Sequence, residues 1–311
     1  MSARAVNTPP KPNTFKTYVS CKDHLVSNEQ FDLLLDDNLD LLMTSPKPED
    51  KDLGKYYESK DYISHTDSKK SVVDVVYQMV RNYTLKKKLN LINSFQTEEK
   101  KILDIGAGTG DFLKICVDNG WAVTGIEPNE SAREIASEKS VKNGGRFFEA
   151  VEDLKKEENV FFGFDVITMW HVLEHVPNLD ETIFNLKKLL KPEGVILVAV
   201  PNFKSFDASY YKEHWAAYDV PRHLWHFSQT AIRRLFFFQG MEVVKTIPMK
   251  FDSFYVSLLS EQCKNAKMHY LSAFWIGLRS NLKAKKTNEY SSLIYVIKNK
   301  KNWLKDGFKG V

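Results

Sequence analysis

The fourteen residues Lys-Lys-Ile-Leu-Asp-Ile-Gly-Ala-Gly-Thr-Gly-Asp-Phe-Leu, Lys100 to Leu113, constrain this chain more than any other stretch. Ile102, Leu103 and Ile105 read as a short buried parallel strand. Gly106, Gly108 and Gly110 read as a bare turn, and Phe112, Leu113 and Ile115 to Val117 as the start of a helix. Strand, glycine turn and helix is the layout of a nucleoside-binding α/β unit. Glycine suits the turn because a side chain there would hold a ligand off the backbone and off the helix N-terminus.

The neighbours narrow the ligand. The dinucleotide fingerprint is G-x-G-x-x-G, and here the third glycine comes one residue early. Carboxylates flank the turn, Asp104 before it and Asp111 after it, and both would repel a pyrophosphate at close range. They suit a ligand that carries positive charge and no phosphate, such as S-adenosylmethionine with its sulfonium and α-ammonium. Seventeen residues beyond Gly110, Glu127 ends the apolar run from Trp121 to Ile126. An acid at the tip of a second strand can accept from both ribose hydroxyls. NAD enzymes share that feature, so Glu127 supports a nucleoside without choosing the cofactor.

Four motifs then follow in order: Leu103 to Gly110, Gly125-Ile-Glu-Pro128, Phe164 to Val176, and Leu190-Lys-Pro-Glu-Gly-Val-Ile196. At these intervals the chain resembles the class I S-adenosylmethionine-dependent methyltransferases, over roughly residues 55–300. The segment Asp219-Val-Pro-Arg-His-Leu-Trp-His-Phe-Ser228 makes it similar to bacterial small-molecule members. The resemblance implies a Rossmann-like α/β fold: a seven-stranded, mostly parallel sheet with helices on both faces and a closing antiparallel pair. It implies cofactor contacts at Asp104, Gly106, Ala107, Gly108, Gly110, Glu127 and Pro128. Further contacts fall at Val151 and Glu152, where family members often place an Asp against adenine and this chain has Ala150. Trp170 and His171, at the end of the fourth strand, would face the transferred methyl, and Tyr62, with His65, would close over the cofactor. The implied chemistry is in-line displacement onto an oxygen, nitrogen or carbon of a small-molecule, sugar or lipid-type acceptor, leaving S-adenosylhomocysteine. His223, His171 and Tyr218 are the candidate bases; His175 reads as structural.

The rest of the chain is read around that core. Residues 1–54 form a tail and a knuckle-like segment, and residues 55–98 a helical cover. The methyltransferase core spans 99–250, a helical lid 251–290, and the last strand with a basic tail 291–311. Cys21-Lys-Asp-His24 has metal-ligand spacing, but the positions for a second pair hold Asp36 and Leu39, so a hairpin packing Phe31, Leu33 and Leu35 is expected and no metal. Val72, Val73, Val76, Val80, Leu85 and Leu89 recur at helical spacing, with Lys86 to Lys88 as a solvated face. Tyr210, Tyr211, His214, Trp215, Tyr218, Asp219, Arg222, His223, Trp225 and His226 crowd into one segment that reads as a substrate pocket; its alternative is a clamp in which Arg222 pairs with Asp219. The aromatic stretch 251–281 reads as a lid, its lysines too irregular for a membrane-surface helix.

Composition excludes some classes. A net charge of +4 is too small to imply nucleic acid, although Lys298, Lys300, Lys301 and Lys305 make the tail basic. Three scattered cysteines suggest a reducing cytoplasm rather than a disulfide framework. No apolar run approaches the roughly 20 residues that span a bilayer. The rival readings are a macromolecular methyltransferase, an inactive nucleoside-binding relative and, more distantly, a dinucleotide reductase.

Overall fold

The computed structural model describes residues 15–57, 72–140, 144–157 and 160–300. Tyr62, His65, Lys301 and Lys305 lie outside the described residues. The N-terminal strands β1 (Lys16–Lys22), β2 (Gln30–Asp36) and β3 (Leu41–Ser45) form an antiparallel meander. Phe31 and Leu33 are buried as expected. Helix α1 (Val72–Asn93) leads into β4 (Lys101–Ile105), α2 (Asp111–Asp118), β5 (Ala122–Ile126), α3 (Glu130–Ser140), β6 (Arg146–Phe148) and the single turn α4 (Val151–Leu154). β7 (Phe164–Trp170), α5 (Leu179–Leu189) and β8 (Leu190–Pro201) follow. Lys191 to Gly194 do not form a separate turn. They bulge out within β8, between the pairs Phe164–Leu190 and Val166–Val195.

Beyond β8 come α6 (Phe206–Tyr211), β9 (Trp225–Phe227), α7 (Gln229–Phe238), β10 (Met241–Pro248), α8 (Asp252–Asn265), α9 (Tyr270–Thr287) and β11 (Ser292–Asn299). The main sheet runs β10-β11-β8-β7-β4-β5-β6. β8, β7, β4, β5 and β6 are parallel, while β11 runs antiparallel to both β8 and β10. This is the Rossmann-like sheet the motifs imply. Its central strands are mostly apolar because helices cover both faces. Leu179, Ile183 and Leu186 of α5 and Ile232, Leu235 and Phe236 of α7 fill one face. Leu89 and Ile92 of α1 and Phe112, Leu113 and Cys116 of α2 fill the other. Asn129 and Ser228 cap α3 and α7, accepting from the backbone N–H of Ala132 and Ala231.

One pairing was not expected. β9 comes out of the aromatic segment read as a substrate pocket and pairs antiparallel with β3, so the N-terminal meander becomes a four-stranded sheet, β1-β2-β3-β9. The aromatic segment is therefore tied to the N-terminal sheet and to the core at once.

Candidate functional site

The glycine turn has two kinds of glycine. All three sit at positive φ, +73°, +55° and +76° for Gly106, Gly108 and Gly110. A Cβ on Gly106 would meet Val172 Cγ2 at 2.3 Å, and one on Gly110 would meet Ala136 Cβ at 2.7 Å. Those two glycines are required by the packing of the protein itself. Only at Gly108 would a Cβ find no atom within 4 Å. The backbone N–H groups of Gly106 and Ala107 both donate to the Ile126 carbonyl, and that of Gly108 donates to Glu127 Oε2 at 2.8 Å. Glu127 Oε1 accepts from Asn129 N–H, so the carboxylate is held at the tip of β5.

The flanking acids do not await a cationic ligand, contrary to the sequence argument. Asp111 pairs with Arg81 and with Lys139, the latter at 2.8 Å. Asp104 is buried, accepts from Thr168 Oγ1, and lies in the field of Lys88; burial pushes its carboxyl up. Lys88 is not on a solvated face. Its Nζ sits 4.2 Å from the Trp170 ring centroid, and burial pushes its pKa down. Trp170 packs edge-on against Phe112 beneath α1, and its buried Nε1 has no hydrogen-bond partner among the described residues. It lines neither of the two large clefts.

The first cleft, about 1100 Å³, opens past Pro128 between Ala150, Val151 and Glu152 on one side and Met169 on the other. Glu152 is mostly exposed and bonds Lys155. The second cleft, about 890 Å³, lies at the C-terminal end of β7, beneath α1 and α8 and against the segment 213–223. His171, Glu174, Tyr218, Arg222 and His223 all line it.

Partners set the state of each group there. His171, at positive φ, has a carboxylate on each ring nitrogen: Glu174 Oε1 at 3.3 Å from Nδ1 and Asp252 Oδ2 at 3.2 Å from Nε2. Burial opposes its charge, but the two carboxylates outweigh burial and hold its pKa at about 10. It is an imidazolium, and this corrects its candidacy as the base. Asp252 is the first residue of α8, so His171 is the clasp that holds α8 over the cleft. Tyr218 is corrected too. It is buried against Trp215 and His226, and burial drives its phenol far above the ordinary range. His223 stays a candidate on geometry. Its Nδ1 lies 2.9 Å from the Ala217 carbonyl, which can only accept, so Nδ1 carries the proton and Nε2 the lone pair.

Beside His223, the His175 ring packs at 4.6 Å, and burial pushes its pKa down to about 4. Glu174 is buried, yet the His171 hydrogen bond and nearby imidazoles outweigh that burial and keep its carboxyl low; its Oε2 has no hydrogen-bond partner among the described residues. Glu174, His175 and His223 each present a ligand atom within 4.8 Å of the others, the one such set among the described residues.

Arg222 is the residue whose role the sequence left undecided, and Asp23 the one it missed. Arg222 is 1 % exposed and bonds Asp219, Asp23 Oδ1 at 2.9 Å and the Tyr56 carbonyl. Asp23 also accepts from the backbone of Leu25 and Ser27. Burial pushes its carboxyl up, but Arg222 and these donors outweigh it and hold it below the usual range. The Cys21–His24 segment thus matters through its Asp. Cys21 is a buried free thiol and His24 packs beside His214.

A family model described as a methyltransferase domain matches residues 77–246, more than half of the chain. The chain belongs to the methyltransferase-domain family. Among curated methyltransferases it is 36% identical over 108 residues to the ubiquinone biosynthesis O-methyltransferase of Haemophilus ducreyi, covering 33% of this chain and 46% of that one. It is 30% identical over 129 residues to the same enzyme of Vibrio atlanticus, covering 40% and 52%. The chain thus spans about half the length of the curated relatives it matches. Among solved structures, a chain of the complex between the Haloferax volcanii Trm112 methyltransferase activator and a methyltransferase aligns with a TM-score of 0.52 at 14% identity, over 73% of this chain and 93% of that one. The matched region holds the glycine turn, Glu127 and the histidine cluster. It stops short of α8, which supplies Asp252.

Proposed function

We propose that this chain is an S-adenosylmethionine-dependent methyltransferase that methylates an oxygen of a small-molecule acceptor held in the 890 Å³ cleft. One observation carries the reading: a histidine-lined cleft stands at the end of β7, directly beside the strand that bears the glycine turn. The residues fit the cofactor. Space is open above Gly108, Glu127 is preset for a ribose, and the cleft beyond Pro128, floored by Ala150 and Val151, suits an adenine. The ubiquinone relatives are O-methyltransferases by name, which favours oxygen as the accepting atom.

When bound, S-adenosylmethionine supplies an electrophilic methyl on a sulfonium. The chain's own residues align and desolvate the acceptor. His223 Nε2 accepts the hydroxyl proton as the oxygen attacks, while Ala217 fixes the tautomer. His171 and Asp252 hold α8 closed and keep water out.

Thermal unfolding with S-adenosylmethionine, S-adenosylhomocysteine and NAD tests the cofactor. At 100 times its dissociation constant a ligand stabilises by about 2.7 kcal/mol, a rise of about 5 °C or more for a chain of this size. A rise with both adenosyl ligands and none with NAD is expected. No rise with either adenosyl ligand would overturn the reading.

A further inference from the structure

Helix α9 is built inside out. Its small residues face the protein: Ala273, Gly277, Ser280 and Ala284 are buried. Gly277 is required there, because a Cβ would stand 2.9 Å from Phe254 Cα and 3.0 Å from Phe254 N. Ile276 is buried with the small residues, but most of the helix's other large apolar residues face outward. Leu271 is 79 % exposed, Trp275 63 % and Leu282 52 %, with Leu278 half-buried between them. At about 100° per residue these four fall within an arc of about 60° along the helix. A soluble helix would show the reverse arrangement.

The margins of that stripe are cationic. Lys285 borders one side and Arg279 and Lys286 the other, all exposed. Phe274 and Tyr270 add exposed aromatic area at the N-terminal end. No Asp or Glu occurs anywhere in Tyr270–Thr287. Once the buried face sets the register, Lys285 falls on one margin of the stripe and Lys286 on the other, while Lys283 turns away to sit 3.9 Å from the Phe206 ring centroid.

We infer that α9 docks the protein on an anionic membrane surface, its stripe at the acyl boundary and its cations among the headgroups. A second copy is the poorer occupant. A two-fold contact through this stripe would bring the cations of both copies together with no acid on either helix to pair them. The helix lies on the bilayer rather than through it: among the described residues no helix is long and apolar enough to cross a membrane. The inference does not depend on the methyltransferase reading, and α9 lines neither cleft. The lid expected over 251–290 therefore reduces, at the second cleft, to α8.

Vesicle co-sedimentation of the full chain tests it. The protein should pellet with mixed phosphatidylcholine–phosphatidylglycerol vesicles, and weakly with phosphatidylcholine alone or at high salt. Replacing Leu271, Trp275 and Leu282 by Ser should lower partitioning about tenfold or more without changing the thermal midpoint. Arg279→Gln, Lys285→Gln and Lys286→Gln should each weaken low-salt binding about fivefold. The inference is overturned if the unaltered chain ignores anionic vesicles, or if both the serine and glutamine variants bind them as well as it does. It is equally overturned if sedimentation velocity shows a dimer that the serine variant abolishes while vesicles bind nothing.

Discussion

Of the chain's eight histidines, His171 and His223 line one cleft while His175 and His226 pack against the His223 ring, and each takes its state from its surroundings. Carboxylates on both sides make His171 a cation. A carbonyl on Nδ1 leaves His223 a lone pair. Thr44 donates its hydroxyl to the His223 carbonyl and so can only accept from His226 Nε2. Burial, with His223 nearby, keeps His226 neutral far below the ordinary range. His223→Gln preserves volume and a polar contact but removes the basic lone pair. Turnover should fall about 100-fold or more with little change in acceptor KM, and the loss should narrow as pH rises and the acceptor ionises unaided. Steady-state kinetics across pH checks this, and a uniform rise in KM alone would count against it. The sequence supplied His171 and His223 by their place after β7 and in the aromatic segment. It could not separate base from clasp, because Asp252 lies in an insertion far downstream.

At the scale of elements, Arg222 ties the cleft wall to the N-terminal sheet's β1–β2 turn. It stands between Asp219 of the cleft wall and Asp23 beyond β1, just before β9 pairs with β3. Asp207 does similar work behind the wall, accepting from Trp215 Nε1, Ser280 Oγ and Ser291 Oγ. Arg222→Met would leave two carboxylates with a buried, uncompensated charge and should cost about 3–5 kcal/mol, a fall of about 10 °C in Tm. Adding Asp23→Asn and Asp219→Asn should restore much of it, because the penalty is the stranded charge rather than the lost contact. Calorimetry of the single and triple variants checks the sign. The Arg222–Asp219 pair was legible as a sequence-local option. The partnership with Asp23 was not, since nothing in the spacing of Cys21 and His24 points to the Asp between them, and β9 is too short to announce itself as a strand.

Across the whole molecule the parallel core was the most legible part, because apolar runs alternating with glycine turns and capped helices admit few other arrangements. Helix α9 was the least, since periodicity shows that a helix has two faces and not which one is inside. Stability against pH integrates the titrating groups. The folded-state pKa of His171, about 10, exceeds its ordinary 6.5, so its contribution is complete below 6.5 and is lost as pH rises through 10. The pKa of His175 is depressed to about 4, so the unfolded chain takes up a proton that the folded one refuses, and stability falls from pH 6.5 towards 4. Denaturant titrations should show a maximum near pH 6.5, an acid limb falling towards 4, and an alkaline limb falling from 6.5 towards 10 that flattens in His171→Gln. An unchanged limb would remove His171 from that account.

The order β10-β11-β8 has one further meaning. β11, the last of the described strands, is inserted between two strands that precede it and, among the described residues, is the only neighbour β10 has in the sheet. The residues matched by the family model, 77–246, hold most of β10 and all of β8 but none of β11, and they omit Asp23 as well. That stretch marks an evolutionary unit, but it is not a folding unit. Cut out alone it would leave β8 with a bare hydrogen-bonding edge, β10 with nothing to pair to, and Arg222 without its partner in the β1–β2 turn.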